Sequence, residues 1–256
     1  MKAFITILTT LVALSDIVSA HYRFTSLVVG GVNTGEYVHV RRNTNYTSPV
    51  TDVLSKDIVC NAGGLSSGPA TQIATVAAGS TVNIPSYFCS VPHTPYPPPD
   101  PSTPSPFPSF RVMIPYPRGP ADCSSTRLTT YSRLQVNFAM DQAIYHDGPV
   151  IVWLSPAAAS SSNVTTYDGS GPWAKIWELG AQTGNGQIKF PASNQAGFNF
   201  QIPSCTPPGE YLLRIEIGLH SASAKAGAQF YISCAQIKVT DSGSSSGLFS
   251  PTARFP

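Results

Sequence analysis

Residues 210–239, EYLLRIEIGLHSASAKAGAQFYISCAQIKV, decide the fold. The runs EYLLRIEIGL and AQFYISCAQIKV are rich in β-branched and aromatic residues and are parted by a stretch of small residues, so both read as strands. Strand-like text continues outward on the amino-terminal side. It includes GFNFQI (197–202), PVIVWLS (149–155), VNFAMDQAIY (136–145), TQIATVAAGSTV (71–82), EYVHVRR (36–42) and YRFTSLVV (22–29). Gly, Asn, Pro and Ser clusters separate these runs, and no helix longer than a turn or two is predicted. Short strands at this spacing predict an all-β sandwich.

Composition agrees. The 256 residues are 42% hydrophobic and only 11% charged, which suits a globular domain and not a disordered tail. With 20 Gly and 24 Pro the chain disfavours long helices, which excludes a helix bundle. A net charge of +2 is too small for a phosphate-neutralising surface, so no nucleic-acid partner is expected. Two segments differ in kind. Between Pro85 and Pro120 lie 13 of the 24 prolines, which no central strand can accommodate. The end, DSGSSSGLFSPTARFP (241–256), reads as a flexible Ser/Gly-rich tail.

Residues 1–20, MKAFITILTTLVALSDIVSA, have Lys2, an apolar run to about Leu14 and Val18-Ser19-Ala20, the pattern of a cleaved secretory signal. Asp16 interrupts the run too early for a membrane anchor, and no later segment could span a bilayer. Cleavage after Ala20 makes His21 the new amino terminus, with a free α-amine beside an imidazole. Two such nitrogens, joined by a second histidine, suit Cu(II), which favours square-planar nitrogen sites. His146, at a loop edge before Gly148-Pro149, is placed where a histidine is available as a ligand. In an extended strand Gln229 and Tyr231 share one face while Phe230 and Ile232 take the other. Taken singly, His146 and His220 read as polar loop residues and Tyr231 as a core or rim aromatic. His39 and His93 read as bystanders.

The chain has neither HExxH, GxSxG nor a Gly-rich phosphate loop, which excludes the commonest zinc protease and serine esterase patterns. Carboxylates such as Asp141, Asp147, Glu210 and Glu216 are present, but nothing pairs two of them as a glycosidase requires. Five cysteines, at 60, 89, 123, 205 and 234, leave at least one unpaired within the chain. Asn45-Tyr46-Thr47 and Asn163-Val164-Thr165 are glycosylation sequons consistent with export.

His21 directly after the cleavage site, DQAIYHDGPVIVWLS (141–155), YDGSGPWAKIWELG (167–180), IPSCTPPGEYLLRIE (202–216) and GLHSASAKAGAQFYISCAQIKVT (218–240) occur in an order that resembles the fungal lytic polysaccharide monooxygenases of auxiliary-activity family nine, once filed as glycoside hydrolases. The resemblance extends to SPVTDVLSKDIVCNAGG (48–64) and implies an immunoglobulin-like antiparallel β-sandwich with long loops. It implies one copper ion held by the amine and ring of His21 and the ring of His146, with Tyr231 in a distant axial position. His220 and Gln229 are implied as a hydrogen-bonding pair beside the metal, and outer groups of this kind matter to metal sites generally. The implied reaction is oxidative cleavage of cellulose or a related β-1,4-glucan by hydrogen abstraction at C1 or C4, using O2 or H2O2 and an external electron donor. Cys60 and Cys234 match the family's disulfide. A secreted monomer results. The alternative from another class is a secreted copper- or polysaccharide-binding protein without turnover.

Against that family the chain departs in three places. Relatives pass straight from AAGSTV into a stretch like NFAMDQAIYH, whereas here Val82-Asn83 recurs as Val136-Asn137. A Val codon begins with GT and a Gln codon can be CAG, so 82–135 has the ends of an unspliced intron whose removal joins Thr81 to Val136. The expected organisation is a signal at 1–20, a sandwich at 21–240 interrupted by an insertion at 82–135, and a truncated tail at 241–256. Second, relatives have one more residue between the Glu of LLRIE and the GLH histidine, so His220 changes face unless a bulge absorbs the loss. Third, the tail is shorter than in relatives, where it supplies a substrate-facing tyrosine. Trp173 and Trp177, on a predicted loop or short helix, read as core packing.

Overall fold

The computed structural model describes residues 21–79, 136–159, 163–220, 227–240 and 251–256. The predicted signal, the whole of the predicted insertion at 82–135 including Cys89, His93 and Cys123, and residues 241–250 lie outside the described residues.

Two sheets face each other. The smaller joins β1 (Phe24–Val29), β2 (Val32–Asn33), β4 (Val136–Met140) and β9 (Gly197–Phe200) in the order β2-β1-β4-β9. The larger joins β3 (Ala74–Ala77), β5 (Val150–Pro156), β6 (Trp173–Leu179), β10 (Gly209–His220), β11 (Ala228–Thr240) and β12 (Thr252–Ala253), in the order β12-β6-β5-β10-β11-β3. A separate hairpin, β7 (Gln182–Gly184) with β8 (Gln187–Lys189), turns at Asn185 and Gly186, both at positive φ. Every pairing is antiparallel except β3 with β11. The only α-helix among the described residues is α1 (Asp57–Cys60).

The alternation of apolar residues explains the layering. On β5, Val150, Val152 and Leu154 point into the sandwich; on β10, Tyr211, Leu213, Ile215 and Ile217 do the same. They meet Phe24, Leu27, Phe138, Phe198 and Phe200 from the smaller sheet. The other face of β10 and β11 is covered as well. There Leu212, Ile232 and Cys234 pack under α1 and the loops carrying Val50, Ile58 and Tyr167. The Cys60–Cys234 disulfide, across a separation of 174 residues, ties α1 to β11. Closing so long a loop contributes on the order of 5 kcal/mol in the chain-entropy account. Cys205 is also disulfide-bonded.

Several expectations shift. EYVHVRR is not a strand. Tyr37 takes φ 57°, which turns the chain, and only Val40 bridges to Ala235. Arg41 is instead buried, donating from Nε to Gln236 Oε1 (3.0 Å) and from Nη2 to the carbonyls of Val164 (2.7 Å) and Tyr167 (3.0 Å); burial pushes its guanidinium down to about 10. Residues 141–145 leave the strand at Asp141. Trp173 and Trp177 lie on β6, neither on a loop nor on a helix. They do pack into apolar clusters: Trp173 is fully buried and Trp177 lies against Phe198 and Phe200. Residues 251–256 fold back, with Thr252 opposite Ala174 and Ala253 opposite Trp173, so the end of the predicted flexible tail is an edge strand.

Candidate metal centre

His21 stands immediately before β1, and His146 lies in the loop between β4 and β5. Because β1 and β4 are antiparallel neighbours, both arrive at the same end of the sandwich. The His146 loop is held from below. Ile144 is fully buried, its N–H donates to the Gln195 carbonyl (2.8 Å), and its own carbonyl accepts from Asn194 N–H (2.8 Å). Ser193 Oγ donates to the Asp147 carboxylate one residue beyond the histidine. Tyr231 reaches the same end from the start of β11.

Three rings converge. The His21 and His146 ring centroids are 6.5 Å apart at 74°, His21 to Tyr231 is 6.1 Å, and His146 to Tyr231 is 6.4 Å with the planes only 22° apart. His21 is exposed and His146 half-buried, whereas Tyr231 is 2% exposed, so the imidazoles sit on a floor made by the phenol. Burial pushes the Tyr231 phenol up to about 12, further above pH 7, where a phenol is neutral in any case. Its hydroxyl donates to Gln229 Oε1 at 3.4 Å, so the residues expected to share a face do so.

The donor set fits a nitrogen-loving ion. Metal–imidazole nitrogen distances are about 2.0–2.1 Å and a ring nitrogen lies about 1.2 Å from its ring centre, so imidazoles facing each other across one ion have centroids roughly 6.4 Å apart. The two rings can share one ion. Among the described residues no group of three or more His, Cys, Asp or Glu could hold a metal, so neither a closed thiolate site nor a carboxylate cage competes.

Other expected residues are placed differently. The register of β10 with β11 runs unbroken from Gly209 opposite Val239 to His220 opposite Ala228. Gln229 therefore faces Leu219 across the ladder, not His220, and no bulge compensates the shorter strand. Asn45 is partly exposed in a loop, where its side-chain amide donates to the Ser48 carbonyl (2.7 Å). Asn163 is exposed and caps a short 3-10 turn, its Oδ1 accepting from Thr165 N–H (2.8 Å). Tyr22 was missed by sequence reasoning. It is 1% exposed and stacks on Tyr231 at 4.4 Å, and its place beside His21 on an aromatic-rich strand start was the available signal.

The chain matches the family described as Auxiliary Activity family 9 (formerly GH61) over residues 21–95 and 120–256, leaving 96–119 inside the expected insertion unmatched. It is 37% identical to AA9 family lytic polysaccharide monooxygenase E of Podospora anserina over 95% of this chain. That alignment covers 62% of the relative, so the chain spans less than two thirds of its length. It is 35% identical to AA9 family lytic polysaccharide monooxygenase H of Malbranchea cinnamomea, over 96% of this chain and 83% of the relative. Its fold is similar to a cellulose-active polysaccharide monooxygenase from M. thermophila, with TM-score 0.56 and 20% identity over 92% of this chain and 85% of that one. With these matches beside the β-sandwich, the chain belongs to Auxiliary Activity family 9, the family of the lytic polysaccharide monooxygenases.

Proposed function

We propose that this chain, once processed to begin at His21, oxidatively cleaves cellulose or a related β-1,4-glucan as a secreted copper enzyme. The carrying observation is the convergence of His21, His146 and Tyr231 within 6.1–6.5 Å at one exposed end of the sandwich. Family membership supports oxidative attack on a polysaccharide, and the cellulose-active relative supports the substrate class.

In this reading the α-amine and ring of His21 and the ring of His146 would hold one copper ion, with the buried Tyr231 phenol beside both rings. Copper supplies one-electron chemistry on O2 or H2O2, drawn from an external donor, sufficient to abstract hydrogen at C1 or C4 of a glucose unit. The protein's share is position and protonation. Buried Tyr22 and Tyr231 close the inner side of the site to water, and the neutral phenol adds no anionic charge near the metal. Gln229, bonded to Tyr231, turns a polar amide toward the same end. The proposal includes removal of residues 1–20, glycans on Asn45 and Asn163, and a sandwich at 21–240 interrupted at 82–135.

The test incubates the processed chain with copper, ascorbate and cellulose. Released oligosaccharides carrying oxidised ends are expected, and both His146→Ala and an extra alanine ahead of His21 should abolish them. A second reading, copper or glucan binding without turnover, is favoured by the register that sets Gln229 opposite Leu219. Copper binding with no oxidised product would select it; absence of copper binding would reject the copper site altogether.

A further inference from the structure

We infer that Arg23 and Asp141 form a positioning clamp that sets the distance between the two histidines, an inference that rests on the copper reading above. Arg23 lies two residues after His21, and Asp141 five residues before His146. They are 118 positions apart in the chain yet share three hydrogen bonds. Arg23 N–H donates to Asp141 Oδ1 (2.8 Å), Arg23 Nε to Asp141 Oδ2 (2.8 Å), and Asp141 N–H to the Arg23 carbonyl (3.1 Å).

The arrangement replaces a ladder that has run out. The β1–β4 register slips between Phe24 and Ser26, and its last pair is Phe24 opposite Met140. Beyond it, the Asp141 carboxylate takes the Arg23 N–H that a strand carbonyl would have accepted. A second oxygen of the same carboxylate grips the guanidinium, giving a charge-assisted fork. The Gln142 side chain then donates to the His21 carbonyl, extending the contact to the ligand residue itself.

The far end of the clamp is also fixed. Arg23 Nη1 donates to Tyr37 Oη (3.2 Å), Tyr37 N–H donates to the Thr25 carbonyl (2.8 Å), and the Arg42 guanidinium covers the Tyr37 ring at 4.2 Å. Tyr37 takes its left-handed conformation at this contact. Past the Phe24–Met140 pair the two strand ends share the single backbone bond from Asp141 N–H to the Arg23 carbonyl, so the approach of His21 to His146 rests on that bond and these side chains, beside the packing of Tyr22 on Tyr231. Metal ligands tolerate little misplacement, and removal of a group that orients them typically lowers affinity about 10–100-fold.

The experiment measures Cu(II) affinity by competition titration and records Cu(II) electron paramagnetic resonance spectra on the processed chain. Asp141→Ala should weaken copper about tenfold or more and change the copper hyperfine splitting. Asp141→Asn, which keeps an acceptor for the Arg23 N–H, should fall between wild type and alanine. Arg23→Ala combined with Asp141→Ala should lose no more than Asp141→Ala alone, because both remove one clamp. If Asp141→Ala does not fold, Asp141→Asn and Arg23→Lys carry the test, with the same spectral change expected. Unchanged affinity and spectra in the folded variants, with wild type binding copper, would overturn the clamp alone. A wild-type chain that binds no copper would overturn the copper reading and the clamp's role with it.

Discussion

The ring of Tyr22 lies 4.4 Å from that of Tyr231, tilted 33°, so the residue after His21 packs directly on the buried phenol beside the paired histidines. This stack joins the segment before β1 to β11 of the larger sheet, while Arg23 joins it to the loop after β4. His21 is thereby located by contacts from both sheets.

The Tyr22 hydroxyl is buried and has no hydrogen-bond partner among the described residues. An unsatisfied buried group of this type costs about 1–3 kcal/mol. Tyr22→Phe keeps the ring stack and removes the hydroxyl, so it should raise the melting temperature by roughly 2–12 °C for a domain of this size. Copper affinity should not change. Thermal unfolding of the two proteins decides it, and a lower melting temperature in the variant would mean that the hydroxyl is satisfied.

Tyr145 is 62% exposed and stands edge-on to His146 with centroids 5.9 Å apart. A large aromatic held in water beside His146 has a face free for a sugar ring. Tyr145→Ala should weaken cellulose binding roughly two- to tenfold, the scale of one aromatic contact. Tyr145→Trp should restore it. Pull-down isotherms on cellulose read the effect, while copper titration should show all three proteins alike.

The long strands were legible because β10 and β11 are rich in β-branched and aromatic residues, which suit a pleated surface buried on both faces. The two histidines that the fold brings together stood out for a different reason: His21 follows a cleavage signature and His146 precedes a Gly-Pro turn. What was not legible depends on contacts between distant residues. EYVHVRR has a strand's composition, but the buried fork of Arg41 and the left-handed Tyr37 override it. The edge strand β12 has a tail's composition and is held by Phe255. Nor does the local text show that Arg23 pairs with Asp141, since that needs the β1–β4 register to be known.

The insertion makes a separate prediction. Gly79 N–H donates to the Ile202 carbonyl (2.9 Å), and Val136 pairs with Phe200, so the two ends of the interrupted region attach to the same short stretch of β9 and its continuation. Three extended peptide steps, through Ser80 and Thr81, reach about 10–11 Å, enough to join partners two residues apart on that stretch. A chain lacking 82–135 should therefore fold, with a melting temperature at least equal to that of the full chain and unchanged copper affinity. Failure of the shortened chain to fold would show that the segment belongs to the domain. Sequencing the mature transcript tests the intron reading independently, since a dominant message that retains codons 82–135 rejects it.

On the outer face of the larger sheet, midway along β10, Arg214 is fully buried. It donates from Nε to the Val59 carbonyl (2.8 Å) and from Nη2 to the Ile58 carbonyl (2.9 Å), and it pairs with Glu216 Oε2 (2.7 Å). Nη1 has no hydrogen-bond partner among the described residues, and burial lowers the guanidinium's pKa. Phe255 covers this charge at 4.2 Å and meets Trp153 and Trp173 edge-on, each at 5.6 Å. A desolvated cation–π contact contributes about 2 kcal/mol. Its loss together with some apolar burial makes Phe255→Ala cost on the order of 2–3 kcal/mol, lowering the melting temperature by roughly 4–12 °C. Phe255→Leu separates the two contributions: it restores apolar cover without the ring, so it should recover less than half of the loss. If leucine matches wild type, the ring's attraction for Arg214 contributes nothing. Copper affinity should be indifferent to both changes, because Trp173 begins β6 and the His146 end is reached only at Leu179, opposite Val150.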